Sequence, residues 1–205
     1  MALTSLNWLT KYLQMFKQIT LIRHTSVAPG RGQCYGFTDV GVSKNFKAEV
    51  KWLKTSLAGQ QFDRVLASPL SRCTQLCETL FQEYKKDDRL KELNYGDWEG
   101  RSWEEINIPE NSDWLYLKSG EKAPNGESFE NLKKRVAEVF EELQKEEGKT
   151  IIFCHGGVIR SFLSLVTGLP LPLTKSIKIH YCAQVTLSFE ENIWRLSKLN
   201  GGYLN

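Results

Sequence analysis

Residues 151–161 read IIFCHGGVIRS, and both the fold and the chemistry of the chain turn on how this stretch is divided. Thr150 to Cys154 is an unbroken apolar run of the kind that forms a strand buried on both faces. Gly156 and Gly157 then make a turn, and Val158 to Val166 carries the spacing of an apolar helix. A strand, a glycine turn and a helix N-terminus together present backbone N–H groups to an anion, so the stretch is a candidate phosphate loop. Two side chains compete to own its chemistry. One is Cys154, followed by Gly157, Arg160 and Ser161; the other is His155, delivered at the strand end.

The same alternation continues outward. Gln18 to Ile22 (QITLI) is a short strand ending at Arg23-His24, and Gly30, Gly32 and Gly36 mark a loop. Ser43 to Leu57 reads as a helix through Phe46, Val50, Leu53 and Leu57, with Ser43 as its N-cap. Arg64 to Ser68 is a second strand stopped by Pro69, and Ser71 to Tyr84 a second helix. Phe129 to Leu143 is a long amphipathic helix, and the strands Ala183 to Phe189 and Ile193 to Ser197 form a hairpin through Glu190-Glu191-Asn192. The expected fold is a three-layer α/β/α sandwich around a mostly parallel sheet that the last hairpin makes mixed.

Two regions depart from the alternation. Residues 94–127 carry Trp98, Trp103 and Trp114 among acidic residues, Gly and Pro, and are expected to be an inserted lid, since a disordered linker would not hold so many aromatics. Met15 looks like a natural chain start followed at once by a strand. Residues 1–14, with Leu3, Leu6, Leu9 and Leu13, are therefore expected to be an appendage, and residues 15–205 a single domain.

Composition narrows the function. Twenty-seven Lys and Arg against 24 Asp and Glu, interspersed, give a net charge of +3, too small to argue for nucleic acid or an anionic membrane as partner. The five cysteines (34, 73, 77, 154, 182) are odd in number and fit no paired metal-ligand spacing. With no signal-peptide pattern and no apolar run long enough to span a bilayer, the chain is expected to be cytoplasmic. Its oligomeric state is not written in the sequence.

In sheets of this kind ligands bind beyond the strand C-termini. Arg23-His24, Ser68 to Arg72 and His155-Gly156-Gly157 all fall there, bringing together two of the chain's three histidines and two arginines. Such groups repel one another without an anion between them, so the implied ligand is a phosphoryl group on a small substrate. The arginine fork holds two phosphoryl oxygens at once. An imidazole in that field is pushed toward its neutral, nucleophilic form, and attack on phosphorus would give a phosphohistidine. The surrounding cations would stabilise the charge in flight, and neither a metal nor another cofactor is implied. A carboxyl group is needed to protonate the leaving alcohol, and Glu92 in RLKELNYGDWEG is the candidate.

Taken in order, LIRHT, SPLSR, ELNYGDWEG, NGESFENLKKRV and FCHGGVIRS resemble the histidine phosphatase superfamily, also called the phosphoglycerate mutase-like fold, from Leu21 to about Leu199. The resemblance implies His24 as the phosphorylated nucleophile, with Arg23, Arg72 and His155 in the phosphate pocket beside Gly156, and Glu92 as proton donor. It implies possible substrate contacts at Thr25, Thr38, Trp98 and Glu127. Thr25-Ser26 replaces the usual Gly-Glu, the Asn expected soon after is absent, and Leu76 stands where Thr is common. The compact length, YGDWEG, PNGESF and HGGVIRSFLSLVTGLPL look most like the α-ribazole phosphatases of cobalamin nucleotide-loop assembly and their broad-specificity relatives acting on sugar and other small phosphate esters. The longer insertion of a phosphoglycerate mutase is missing.

Two rival readings stay open at this level. Cys154-x-x-Gly157-x-x-Arg160-Ser161 resembles the loop of cysteine-dependent tyrosine phosphatases, though it leaves Arg23, His24, Arg72 and Glu92 unused and calls on a thiol in an apolar strand. The other is a non-catalytic module that binds a phosphorylated ligand on the same fold. His180 reads as an edge or core histidine or as a substrate contact, Cys73 and Cys77 as packing residues, and Arg160 as a brace or a surface residue. Glu127 and Ser128 either close over substrate or cap the next helix.

Overall fold

The computed structural model describes residues 16–28, 32–106 and 120–203. The expected appendage, and Trp114 with the middle of the expected lid, lie outside the described residues.

Among the described residues six strands form one sheet in the order β3-β2-β4-β1-β5-β6. They are β1 (Lys17–Arg23), β2 (Arg64–Ala67), β3 (Lys85–Lys86), β4 (Gly148–Cys154), β5 (Gln184–Glu190) and β6 (Ile193–Asn200). β3, β2, β4 and β1 run parallel, and β5 joins β1 antiparallel and carries β6 as a hairpin. The mixed α/β sheet is the one expected. The hairpin turns at Glu191 and Asn192, both with positive φ (53° and 64°), the backbone that matches the twist of flanking strands.

The apolar run in IIFCH explains the layering. Side chains alternate across a strand. Ile151 and Phe153 of β4 therefore pack on one face with Val50 and Leu53 of α1 (Phe46–Ser56) and Cys73 and Leu76 of α2 (Ser71–Leu80). Ile152 and Cys154 pack on the other face with Leu132, Val136 and Phe140 of α4 (Phe129–Leu143) and Phe162 of α5 (Gly156–Thr167). The short helix α3 spans Trp103–Ile106. Ser128 and Asn131 form a reciprocal capping box at the start of α4, which settles Ser128 as a cap. Gly168, at φ 71°, closes α5 in the left-handed conformation.

Three boundaries differ from expectation by more than two residues. α1 starts at Phe46 rather than Ser43, because the Ser43 hydroxyl is bound to the Ser26 hydroxyl at 2.5 Å and accepts from the Asn45 amide, which leaves Asn45 at the cap position. α2 ends at Leu80, since Phe81 is extended and the chain runs on into β3, an edge strand of two lysines that carries no apolar signal. β6 extends to Asn200, its outward positions tolerating Lys198 and Asn200 on an edge.

Register sets the site. Arg23 lies opposite Cys154 and Ala67 opposite Phe153, and the amides of His24 and Ser68 donate to the carbonyls of Cys154 and Phe153 at 3.0 and 2.9 Å. His24, Ser68 and His155 thus leave three adjacent strands at one level.

Candidate active site

His24 is buried, and its Nδ1 lies 2.7 Å from the Thr25 carbonyl. A carbonyl only accepts, so Nδ1 carries the proton and Nε2 keeps its lone pair. Burial, then the charges of Arg72 and Arg23, hold the imidazole well below its ordinary pKa of 6.5, so the ring is neutral. His155, fully buried with its ring centroid 5.1 Å from that of His24, is lowered by burial, Arg72, His24 and Arg23. It receives a hydrogen bond from Arg72 Nε at Nδ1 (3.3 Å). Its remaining proton is therefore on Nε2, 2.8 Å from the Ser68 hydroxyl.

The arginines are gripped by backbone. Arg72 is fully buried at the start of α2, where Asp39 accepts from the Ser71 amide and hydroxyl at 2.8 and 2.7 Å. Arg72 donates to the carbonyls of Gly36 (2.6 Å) and Thr38 (3.0 Å), and keeps N–H groups over for a ligand. Gly36 cannot be replaced, because a Cβ there would stand 1.8 Å from the Leu93 carbonyl. Arg23 donates to the Ile179 carbonyl at 2.6 Å, lies 4.3 Å from the centre of the Tyr181 ring, and has a buried Nε with no partner.

Glu92 faces this group from the segment after β3. Its carboxylate accepts from the Gly157 amide at 3.1 Å to each oxygen and from the Leu93 amide at 2.9 Å. A Cβ on Gly157 would stand 2.3 Å from Glu92 Oε1, so the second glycine of the opening motif makes room for the acid. Gly156 sits between the two groups: a Cβ there would lie 3.8 Å from Arg23 and 3.9 Å from Glu92. Arg135 locks the segment from behind, donating to the carbonyls of Arg89, Lys91 and Glu92 while paired with Glu127.

Arg23, His24 and Glu92 line a cleft of about 210 Å³ whose other walls are Gln33, Tyr35, Tyr95, Trp103 and Tyr181. Arg72 and His155 stand buried behind it. A larger depression of about 500 Å³ between α4 and the 170–172 turn holds no arginine or histidine and shares no lining residue with this cleft.

The remaining expected residues fall into place individually. Thr25 gives its carbonyl to His24, and its own hydroxyl is buried without a partner. Thr38 offers Arg72 its carbonyl, while its hydroxyl and amide donate to Glu99. Glu127 binds Arg135 and the Asn94 amide rather than the cleft. Trp98 is half-buried and is not among the described residues that line the cleft; Trp103 is. Arg160 donates to the carbonyls of Thr174 and Ile177, bracing that turn. Cys154 is wholly buried, and burial pushes its thiol well above the ordinary value, against any role as a thiolate.

Tyr35, Tyr181 and Glu99 were not singled out by sequence. Glu99 sits inside YGDWEG, and its carboxylate accepts from the amides of Phe37 (2.8 Å), Tyr95 (3.0 Å) and Thr38, stitching the loop that holds Arg72 to the segment that carries Glu92. The signal for Tyr181 lies in topology. β5 is antiparallel to β1, so its beginning, not its end, meets the strand C-termini: the Cys182 amide donates to the Arg23 carbonyl, and the Arg23 amide to Ala183. Among the described residues, no group of three or more His, Cys, Asp or Glu side chains is arranged to hold a metal ion, and no helix is long and apolar enough to cross a membrane.

The profile of the histidine phosphatase superfamily (branch 1) matches residues 19–201. Over 191 residues the chain is 25% identical to the "Probable phosphoglycerate mutase GpmB" of Yersinia enterocolitica, covering 88% of each. It is also 25% identical over 193 residues to phosphoserine phosphatase 1 of Hydrogenobacter thermophilus, covering 89% of this chain and 92% of the other. Among solved structures, an Escherichia coli K-12 protein provisionally named an α-ribazole-5'-P phosphatase superposes with a TM-score of 0.80 at 21% identity, over 90% of this chain and 96% of that one. This chain is an enzyme of the histidine phosphatase superfamily.

Proposed function

We propose that the chain is a phosphomonoester hydrolase that works through a phosphohistidine at His24, with α-ribazole 5'-phosphate of cobalamin nucleotide-loop assembly as its substrate. The observation that carries the chemistry is the Nδ1 bond of His24 to the Thr25 carbonyl, which leaves a neutral Nε2 at a cleft lined by Arg23, with Arg72 buried behind it. The Nε2 lone pair attacks phosphorus, the ester P–O bond breaks, and the leaving oxygen takes a proton from Glu92. Water then attacks the phosphohistidine, gives its proton to Glu92, and phosphate departs. Charge on the equatorial oxygens is met by Arg23 and Arg72, the part a metal ion plays elsewhere. His155, with both ring nitrogens engaged, serves by fixing Arg72. Tyr95 and Trp103, from the segment read as a lid, line the cleft, and the five unpaired cysteines support a reducing compartment such as the cytoplasm.

The substrate assignment is supported by the aromatic walls Tyr35, Tyr95, Trp103 and Tyr181, which suit a leaving group bearing a flat ring. The second reading, hydrolysis of phosphoserine or another small ester, is favoured by the relative of that name. Comparing kcat/KM for α-ribazole 5'-phosphate, phosphoserine and 3-phosphoglycerate, with chelator present, decides between them. A clear preference for the ribazole ester, undiminished by chelator, is expected. Equal rates would reduce the assignment to a general phosphatase, and a rate abolished by chelator would remove the metal-free mechanism.

A further inference from the structure

Arg23 and Arg72 come from segments about 50 residues apart, yet each is held in the same way. A backbone carbonyl binds the guanidinium edge and a tyrosine ring two residues or fewer from a gripping residue lies against it. For Arg23 these are the Ile179 carbonyl (2.6 Å) and Tyr181 (ring centre 4.3 Å from Cζ). For Arg72 they are the Gly36 carbonyl (2.6 Å) and Tyr35 (ring centre 5.4 Å from Cζ). The two tyrosines meet hydroxyl to hydroxyl at 2.9 Å, across 146 residues of sequence. The Tyr181 ring also packs on His24, with centroids 5.6 Å apart. Burial and the Tyr181 hydroxyl push the Tyr35 phenol upward, so its hydroxyl keeps its proton within the bridge.

We infer that the Tyr35–Tyr181 hydroxyl bridge is a positioning device that sets the separation of the two phosphate-binding arginines across the His24 nucleophile. Two like-charged guanidinium groups with no anion between them repel. Arg23 is the one with freedom to yield, being half-buried with an unpartnered Nε, whereas Arg72 is tied at three points. The bridge joins the ring that covers the looser arginine to the loop that holds the fixed one. Preorganised donors stabilise a transferring phosphoryl group most when they need not move during reaction. Neither tyrosine need touch substrate for this role. Their action is on the arginines, and it rests on the phosphate-binding reading given above.

The test is a double-mutant cycle on Tyr35→Phe and Tyr181→Phe, which delete the hydroxyls and keep the rings. Orthophosphate affinity is read by calorimetry, kcat and KM with an aryl phosphate, and melting temperature as a control. Each single variant is expected to weaken orthophosphate binding about fivefold, the usual worth of one neutral hydrogen bond, and to lower kcat with little change in melting. The double variant should be no worse than either single one, because one bond cannot be lost twice. Additive losses, or orthophosphate affinity unchanged in both singles, would overturn the bridge. Binding does not depend on turnover, so the cycle is separable from the nucleophile: if His24→Ala keeps full turnover the proposed mechanism fails while the calorimetric cycle still reads the bridge.

Discussion

At the phosphate end of the cleft His24, Arg72 and His155 are buried, and each is fixed by a backbone carbonyl or a buried partner. At the mouth Gln33, Tyr95 and Trp103 are half-buried and come from two loops joined by a few strand-like bonds. These are the bridge between Gln33 and Ser102, the Cys34 amide to Arg101, and the Trp103 amide to Gly32. The first region needs fixed charges at fixed places; the second needs only a surface of the right character. Rigidity has been spent where the transferring group sits, as preorganised electrostatics requires, and the mouth is left to shape.

That contrast can be broken from either side. Glu92→Gln keeps the shape and removes the proton, so kcat/KM, which reads the transfer to His24, should fall about 10²–10⁴-fold for an alkyl ester and much less for p-nitrophenyl phosphate, whose leaving group needs no acid. Equal losses on both esters would show that Glu92 shapes the site and does not shuttle the proton.

Acid tests the buried histidines. Both are lowered in the folded chain, so below pH 6.5 the unfolded chain gains protons that the folded one refuses. Stability contributed by their neutral burial is present above 6.5 and is lost as pH falls, by at most about 1.4 kcal/mol per histidine per pH unit. Urea midpoints at pH 7.5 and 5 should therefore drop in the native chain and drop less in His24→Gln. The acid limb of kcat/KM should lie below pH 6.5, and a limb centred there would mean that His24 titrates as an exposed imidazole does.

The smallest effect belongs to the mouth. Trp103→Ala should raise KM for an aromatic ester about two- to tenfold, the worth of one aromatic contact, and leave kcat and phosphoserine hydrolysis nearly unchanged. A large loss of kcat would place Trp103 with the rigid region.

The same division governs what was legible beforehand. Thr150 to Cys154 announces a buried central strand, and a buried central strand fixes the level at which His24, Ser68 and His155 emerge. Glycine at 157 is readable as a close approach, though the carboxylate that approaches is not. Tyr181 is not legible beside His180, because the antiparallel pairing that returns it to the site is a property of the sheet and not of the local sequence. Trp98 and Trp103 were indistinguishable by type; only the short turn at Gly96–Trp98 and the bond from Trp103 to Gly32 decide which ring faces the cleft. The Cys154 spacing misleads for a physical reason, since a strand end, a glycine turn and a helix N-terminus cradle phosphate whichever side chain attacks it.

The central claim is the identity of the nucleophile, and trapping the phosphorylated enzyme tests it most directly. Enzyme turning over an aryl phosphate, quenched in base and mapped by mass spectrometry, should carry an acid-labile phosphoryl group on His24. The label should be absent from His24→Ala and unchanged in Cys154→Ser. A phosphoryl group on Cys154, or full turnover in His24→Ala, would contradict the account.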